Sequence, residues 1–292
     1  MSTTNHGEYF IPEPSKWPIV GTIALTTTVI GAVNTIHSGE LNLLLPVGFL
    51  LIAYLLFGWF GAVIDESMAG KYNEQVDRSF RIGMLWFIFS EVMFFAAFFG
   101  ALFYIRVFVI DWLDGGGNNF MTHQLLWPGF EGVWPLLTNP DNAAVTGPKQ
   151  AMGPGGLPAI NTAILLLSSV TVTIAHHGLR QNHRKPLIMW LAATVVLGIV
   201  FLFFQVQEYI HAYDDKMGLT FDSGIYGSTF FILTGFHGMH VTLGTTMLLV
   251  MLVRAIKGHF TSDNHFAFEA VAWYWHFVDV VWLGLFIFVY WL

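Results

Sequence analysis

The chain has 292 residues, 55% of them hydrophobic and only 11% charged, with a mean hydropathy of +0.61. Soluble domains run near a quarter charged and cannot hide this much apolar surface, so a soluble enzyme and a disordered chain are both excluded. With no cysteine there are no disulfides, thiolate metal sites or thioether-linked haem, and a net charge of −7 leaves no footprint for nucleic acid.

The N-terminal stretch has no Lys or Arg before Lys16 and no apolar leader core. A cleaved signal peptide is therefore not expected, and the first apolar run starts at Trp17. A hydrocarbon layer about 30 Å thick needs about 20 apolar residues of helix. Seven runs reach that length, at 17–36, 42–64, 82–110, 158–178, 187–211, 225–253 and 267–292. They lack the ten-residue alternation of a membrane barrel. The expected fold is an all-α membrane protein with seven transmembrane helices.

Residues 65–81 are the most charged stretch and are expected to form a charged loop. They separate residues 1–64, with the first two spans, from a five-helix bundle over 82–292. A two-plus-five arrangement with a groove between the groups is expected. Residues 111–157 are dense in Gly and Pro and are expected to form an extended, irregular outer loop. Within it, Trp127-Pro128-Gly129-Phe130 and Trp134-Pro135 suggest a segment lying back on the membrane interface.

Orientation follows from the basic residues. With the N-terminus inside, Lys16, Lys71, Arg78, Arg81, Arg180, Arg184, Lys185, Arg254 and Lys257 are cytoplasmic, against Lys149 and Lys216 outside. Arg106 is placed to snorkel outward from the third span. No repeat with a clear period is present, so an inverted-repeat transporter is not supported.

Ionisable groups in hydrocarbon are functional by default. Glu91 lies about ten residues into the third span among Phe, Val and Met, with Ser90 its only polar neighbour in sequence. It reads as a proton-active or stabilising carboxyl, or else as a packing hydrogen bond to another span. Glu208, at the end of the fifth span, reads as a polar rim. In the seventh span Glu269 and His276 share a helix face, and His276 and Asp279 are near enough to interact. They read as intramembrane polar packing. So do His237 and His240, which stand three apart and could share a metal, although no matching carboxylate–histidine motif accompanies them. His176-His177 is treated likewise. Gly224, Gly227, Gly235, Gly238 and Gly244 mark a narrow close-packing face on the sixth span. These residues alone leave a transporter and an accessory subunit both open.

Several runs carry a family resemblance. They are Phe87-Ile88-Phe89-Ser90-Glu91-Val92-Met93-Phe94-Phe95, then Tyr226-Gly227-Ser228-Thr229-Phe230-Phe231, and Thr234-Gly235-Phe236-His237-Gly238-Met239-His240-Val241. His259-Phe260-Thr261-Ser262 and Ala272-Trp273-Tyr274-Trp275-His276-Phe277-Val278-Asp279-Val280-Val281-Trp282-Leu283 follow, with Trp17-Pro18 and Ala175-His176-His177 upstream. In this order they resemble the subunit III family of cytochrome c oxidases over nearly the whole chain. The resemblance implies seven transmembrane helices in a two-plus-five arrangement, with a lipid-filled V-shaped cleft. It implies no catalytic residue and no metal, haem or copper held by this chain. Haem a, haem a3 and copper belong to partner subunits, with subunit I the main contact and subunit II within the complex. The subunit then supports proton uptake and turnover stability of subunit I, in a complex that oxidises cytochrome c, reduces dioxygen to water and pumps protons.

Glu91 matches the family's carbodiimide-reactive carboxyl. Trp59, Glu66 and Arg254 match positions that contact phospholipid head groups, and Arg254 also suits a phosphate by its charge. Gly61 and Ala62 depart from an Arg-Asp pair common in the family, which puts one rim contact in doubt. The length of 111–157 suggests a bacterial protein of the inner membrane, with a cytoplasmic N-terminus and periplasmic C-terminus. A related quinol oxidase subunit is the nearest alternative, but those chains commonly lack the first two spans. A proton-coupled transporter built on Glu91 is the alternative from another class.

Overall fold

A computed structural model describes residues 13–292, so the expectation about a leader rests mainly on residues outside those described. All seven expected spans are present as helices, at Trp17–Ser38, Leu44–Met68, Glu74–Leu113, Leu157–Arg180, Arg184–Ala212, Ile225–Lys257 and Phe266–Trp291. They are numbered here in that order. The chain divides into two compact units, Met1–Ile82 and Gly83–Leu292.

In the first unit, spans one and two form an antiparallel hairpin. Pro18 sits in the first turn, where its missing N–H is harmless, and Gly39 closes the helix at φ 71°. Thr22, Thr27, Thr28 and Thr35 each donate their hydroxyl to the carbonyl four residues back, at 2.8–3.0 Å. These bonds satisfy four hydroxyls that an apolar medium would otherwise leave without a partner. The buried residues of the pair are all small: Gly21, Ala24 and Gly31 on span one and Gly48 on span two. Lipid supplies no hydrophobic drive between helices, so close backbone approach through small residues takes its place.

The stretch 65–81 differs from the expected loop. Span two runs on to Met68 and span three starts at Glu74, leaving only residues 69–73 outside helix. Some of its charges are engaged locally. Tyr72 donates its hydroxyl to Glu66 Oε2 at 2.8 Å, and Arg81 pairs with Asp77 one turn away at 2.7 Å. Burial, and then the adjacent Glu66 carboxylate, push the Tyr72 hydroxyl well above its ordinary range, so it stays a donor.

In the second unit, spans four to seven form a closed ring, four against five, five against six, six against seven, and seven back against four. Polar ties join neighbours inside it. Thr171 and Thr194 share a 2.8 Å bond between spans four and five. The Trp275 and Trp282 indoles of span seven donate to Ser168 and Thr162 of span four, each at 2.9 Å. Span three reaches this ring through aromatic side chains. Phe98 stacks on Phe236 at 5.2 Å between centroids, Phe94 meets the same ring edge-on at 5.1 Å, and Phe87 stacks near Tyr274 at 6.1 Å.

The expected glycine face of span six is not a single contact. A methyl added at Gly238 would meet nothing within 4 Å, and Gly224 precedes the helix at φ 97°. Gly227 lies against its own N-terminal turn, where an added Cβ would meet the Thr220 carbonyl, whereas Gly244 serves helix packing, an added Cβ lying 2.8 Å from the Trp275 ring. Gly198 of span five holds the other side of that ring, at 3.0 Å. Gly244→Ala is therefore expected to destabilise the bundle by about 1–3 kcal/mol through overpacking, read as a lower unfolding temperature of the purified protein.

Residues 111–157 are more built than an irregular loop. They include a short helix, Phe120–Leu126. The aromatics of this stretch make internal contacts. Trp127 donates to the Leu113 carbonyl at 2.8 Å, Phe130 is buried, and Trp134 packs edge-on against Tyr226 at 5.4 Å. Arg106 reaches toward the end of span seven that the basic-residue count assigns to the outer side. It donates to the carbonyls of Phe288 and Leu292 at 3.3 and 2.7 Å and lies over the Trp134 ring. The carbonyls it binds lie on a π-helical end of span seven, and Arg106 itself lies in a π-helical turn of span three.

Candidate functional site

Glu91 on span three meets His240 on span six. Glu91 Oε2 lies 2.7 Å from His240 Nε2. The other ring nitrogen, Nδ1, lies 2.6 Å from the Phe236 carbonyl, one turn back on the same helix. A carbonyl only accepts, so Nδ1 carries a proton. The Nε2 contact then holds one further proton in either of two forms. A neutral carboxyl donates to a neutral imidazole, or an imidazolium donates to a carboxylate. Both forms are neutral overall, which suits a low-dielectric setting where an unpaired charge is costly. The arrangement is a one-proton bridge between two spans.

The His240 side of the bridge is enclosed. Its ring is 4% exposed and is bordered by Phe95 at 4.9 Å and Tyr274 at 6.4 Å between centroids. The Glu91 side chain remains 23% exposed, so it sits at the margin of the unit. Ser90 does not serve it, because its hydroxyl donates to the Phe87 carbonyl. The partner that sequence neighbours could not supply comes from a helix 149 positions on.

The other intramembrane histidines diverge. His237 points into the ring of spans, fully buried, with Nε2 donating to the Val278 carbonyl at 3.2 Å. It therefore faces away from His240, and the two do not share a ligand. His276 turns to span four, where Nδ1 meets Ser169 at 2.9 Å and Nε2 lies 3.4 Å from Thr173. Asp279 is buried at 6% exposure, with Oδ1 unpaired among the described residues. Glu269 opens span seven, in its first turn. His176 packs against His265 and Phe268, and among the described residues no three His, Asp or Glu side chains gather as a metal-holding group.

Trp59 is exposed on span two, and Glu66 accepts the Tyr72 hydroxyl. Arg254 is buried near the end of span six, its guanidinium 4.6 Å over the Phe260 ring and its Nε without a partner. Glu208 is not the polar rim expected of it. It is 1% exposed, inside the second unit.

The family model described as cytochrome c oxidase subunit III matches residues 7–110 and 135–292. The chain belongs to that family. It is 41% identical over 292 residues to the probable cytochrome c oxidase subunit 3 of Rickettsia bellii, covering 99% of this chain and 96% of the relative. It is 40% identical to cytochrome c oxidase subunit 3 of Oncorhynchus mykiss and 39% identical to that of Sus scrofa, in each case over 97% of this chain and 96% of the relative. The family model passes over residues 111–134, which contain the short helix Phe120–Leu126. Glu91 and His240 both lie inside its matched regions.

Proposed function

We propose that this chain is the redox-inert third subunit of a bacterial cytochrome c oxidase, and that its Glu91–His240 bridge holds span three in the position that keeps the complex working through many turnovers. It packs against subunit I, in a complex with subunit II, and supports assembly and proton uptake. Haem a, haem a3 and copper sit in the partners, whose redox chemistry reduces dioxygen with electrons from cytochrome c and pumps protons. The bias of nine basic residues against two supports an N-terminus in the cytoplasm and a C-terminus in the periplasm.

The observation that carries this reading is the 2.7 Å contact between Glu91 and His240. Apart from Arg106 at its far end, which donates to the Phe288 and Leu292 carbonyls, span three meets the ring through aromatic faces, which are easily parted in lipid because hydrocarbon solvates them equally well. A shared proton cannot be replaced by lipid. Breaking the bridge leaves His240 Nε2 buried without a partner, which costs about 1–3 kcal/mol. The bridge thus favours one position of span three without adding net charge to the membrane.

Membership of an oxidase is tested by capturing the tagged chain in mild detergent and recording a reduced-minus-oxidised spectrum. Haem a bands with a large haem–copper partner are expected. A colourless, solitary protein from intact membranes would contradict the reading, and haem b or o without haem a would assign the chain to a quinol oxidase.

Trp59, Glu66 and Arg254 are proposed contacts for phospholipid head groups. Arg254 has the clearest case, since a buried guanidinium with an unused Nε–H suits a phosphate oxygen. Arg254→Leu is expected to weaken phospholipid retention about fivefold, from about 1 kcal/mol per basic residue near a lipid surface. Native mass spectrometry of the complex measures this, and unchanged lipid content would reject the assignment.

A further inference from the structure

At the basic end of the second unit, a cavity of about 180 Å³ lies between the turn joining spans four and five and the end of span six. Leu179, Leu187, Ala255 and Phe260 give it apolar walls, while Asn182, His183 and Arg184 give it polar ones.

Local bonds fix the polar side. Asn182 stands at φ 57°, in the left-handed region that asparagine tolerates. Its amide holds Ser262 of the loop after span six. Nδ2 donates to Ser262 Oγ and Oδ1 accepts the Ser262 N–H, each at 3.2 Å. Arg184 is fixed from span six itself. Its Nη2 donates to the Ile256 carbonyl, one of the last carbonyls of that helix, which have no partner within it. Gly258 ends span six at φ 78°, and a Cβ there would stand 3.3 Å from Arg184 Nη2. Glycine therefore both turns the chain and leaves room for the guanidinium. Arg184 is exposed, and a guanidinium has five N–H donors, so donors remain for a ligand.

Charge and apolar surface together select the ligand. Residues 179–187 and 254–260 hold Arg180, Arg184, Lys185, Arg254 and Lys257 and no Asp or Glu. A free inorganic anion gains nothing from Leu179, Leu187 and Phe260. A lipid without net charge gains little from the cluster of cations. An anion carried on hydrocarbon uses both. Basic pockets between transmembrane helices at the cytoplasmic side suit anionic lipid head groups in this way. The cavity is large enough for the head-group end alone. Met189 and Val253, further along spans five and six, are exposed and apolar, as acyl chains require.

We propose that this cavity binds the phosphodiester of an anionic phospholipid, with His183 and Arg184 on the phosphate and the glycerol end against Phe260 and Leu187. The site is separate from the contact proposed for Arg254, whose guanidinium lies over the Phe260 ring but is not part of the cavity wall. The lipid adds a further tie between the four–five turn and the end of span six, beside the Asn182–Ser262 and Arg184–Ile256 bonds.

The test uses the whole purified complex, depleted of lipid and supplied with phosphatidylglycerol that carries a photoactivatable group at the glycerol end of one acyl chain. Labelling is expected on peptides from 179–187 and 255–260, weaker labelling there by the phosphatidylcholine analogue, and no competition by inorganic phosphate. His183→Ala combined with Arg184→Gln is expected to lower this labelling about fivefold or more, from about 1 kcal/mol per basic residue near a lipid surface. Labelling elsewhere on the chain is expected to stay unchanged. Absent labelling of these peptides, equal labelling by the two lipids, displacement by inorganic phosphate or unchanged labelling in the double variant would each overturn the proposal. Should the double variant fail to assemble, the comparison of the two lipids on the wild-type complex decides the matter.

Discussion

Trp275→Ala is expected to be the most destabilising single substitution in the second unit. The indole is fully buried, donates to Ser168 at 2.9 Å and fills a slot cut by Gly198 and Gly244. Truncation empties that slot and removes the donor, while two glycines offer no side chain to collapse inward. Aromatic-to-alanine changes of this kind cost about 3–5 kcal/mol. Thermal unfolding of the purified complex checks it. Trp275→Phe should recover part of the loss by refilling volume, while the Ser168 bond stays broken. A Trp275→Ala protein as stable as wild type would show that the slot closes unaided.

Glu91 substitutions are expected to separate a bond from a proton. In Glu91→Gln the amide N–H still donates to the unprotonated Nε2 of His240, so span three stays tied, but the bridge no longer holds a transferable proton. In Glu91→Leu both are gone, and His240 Nε2 is orphaned beside Phe95 and Tyr274. A loss of about 1–3 kcal/mol shifts the population of a displaced span three by about 5–150-fold. The expected order is therefore wild type, then Gln, then Leu, both for retention of this subunit and for the number of turnovers before activity is lost. Equal durability of Gln and wild type, with Leu impaired, would assign the bridge a purely mechanical role. Durable turnover in both variants would remove Glu91 from the account.

The spans were legible because hydrophobic length is a one-dimensional property, and lipid enforces it helix by helix. The stretch 65–81 misled for the same reason. Its charges end the hydrocarbon-length run without ending the helix, and local pairs such as Arg81–Asp77 carry the backbone on. Glu91 stood out because a carboxyl among phenylalanines is conspicuous, but its partner could not be read. Position 240 is joined to position 91 only through the packing of two distant helices. His237 and His240 looked alike at three residues' spacing, yet small rotation about the helix axis sends one into the ring and the other to span three. Glu208 was misplaced because depth along a helix says nothing about which face is covered. Its stripe with Thr194, Gly198, Phe201 and Gln205 marks the inner side, and that periodicity was the available signal. The internal contacts of the 111–157 aromatics were not legible either, since Trp-Pro motifs suit an interface as well as they suit an internal anchor.

The most direct measurement counts turnovers to inactivation for the purified oxidase carrying His240→Leu in this chain, at matched subunit content, beside wild type. If the bridge holds span three in its working position, initial activity stays close to wild type while the turnover count falls severalfold. An unchanged count with the subunit still bound would contradict the claim that the Glu91–His240 bridge sustains the complex.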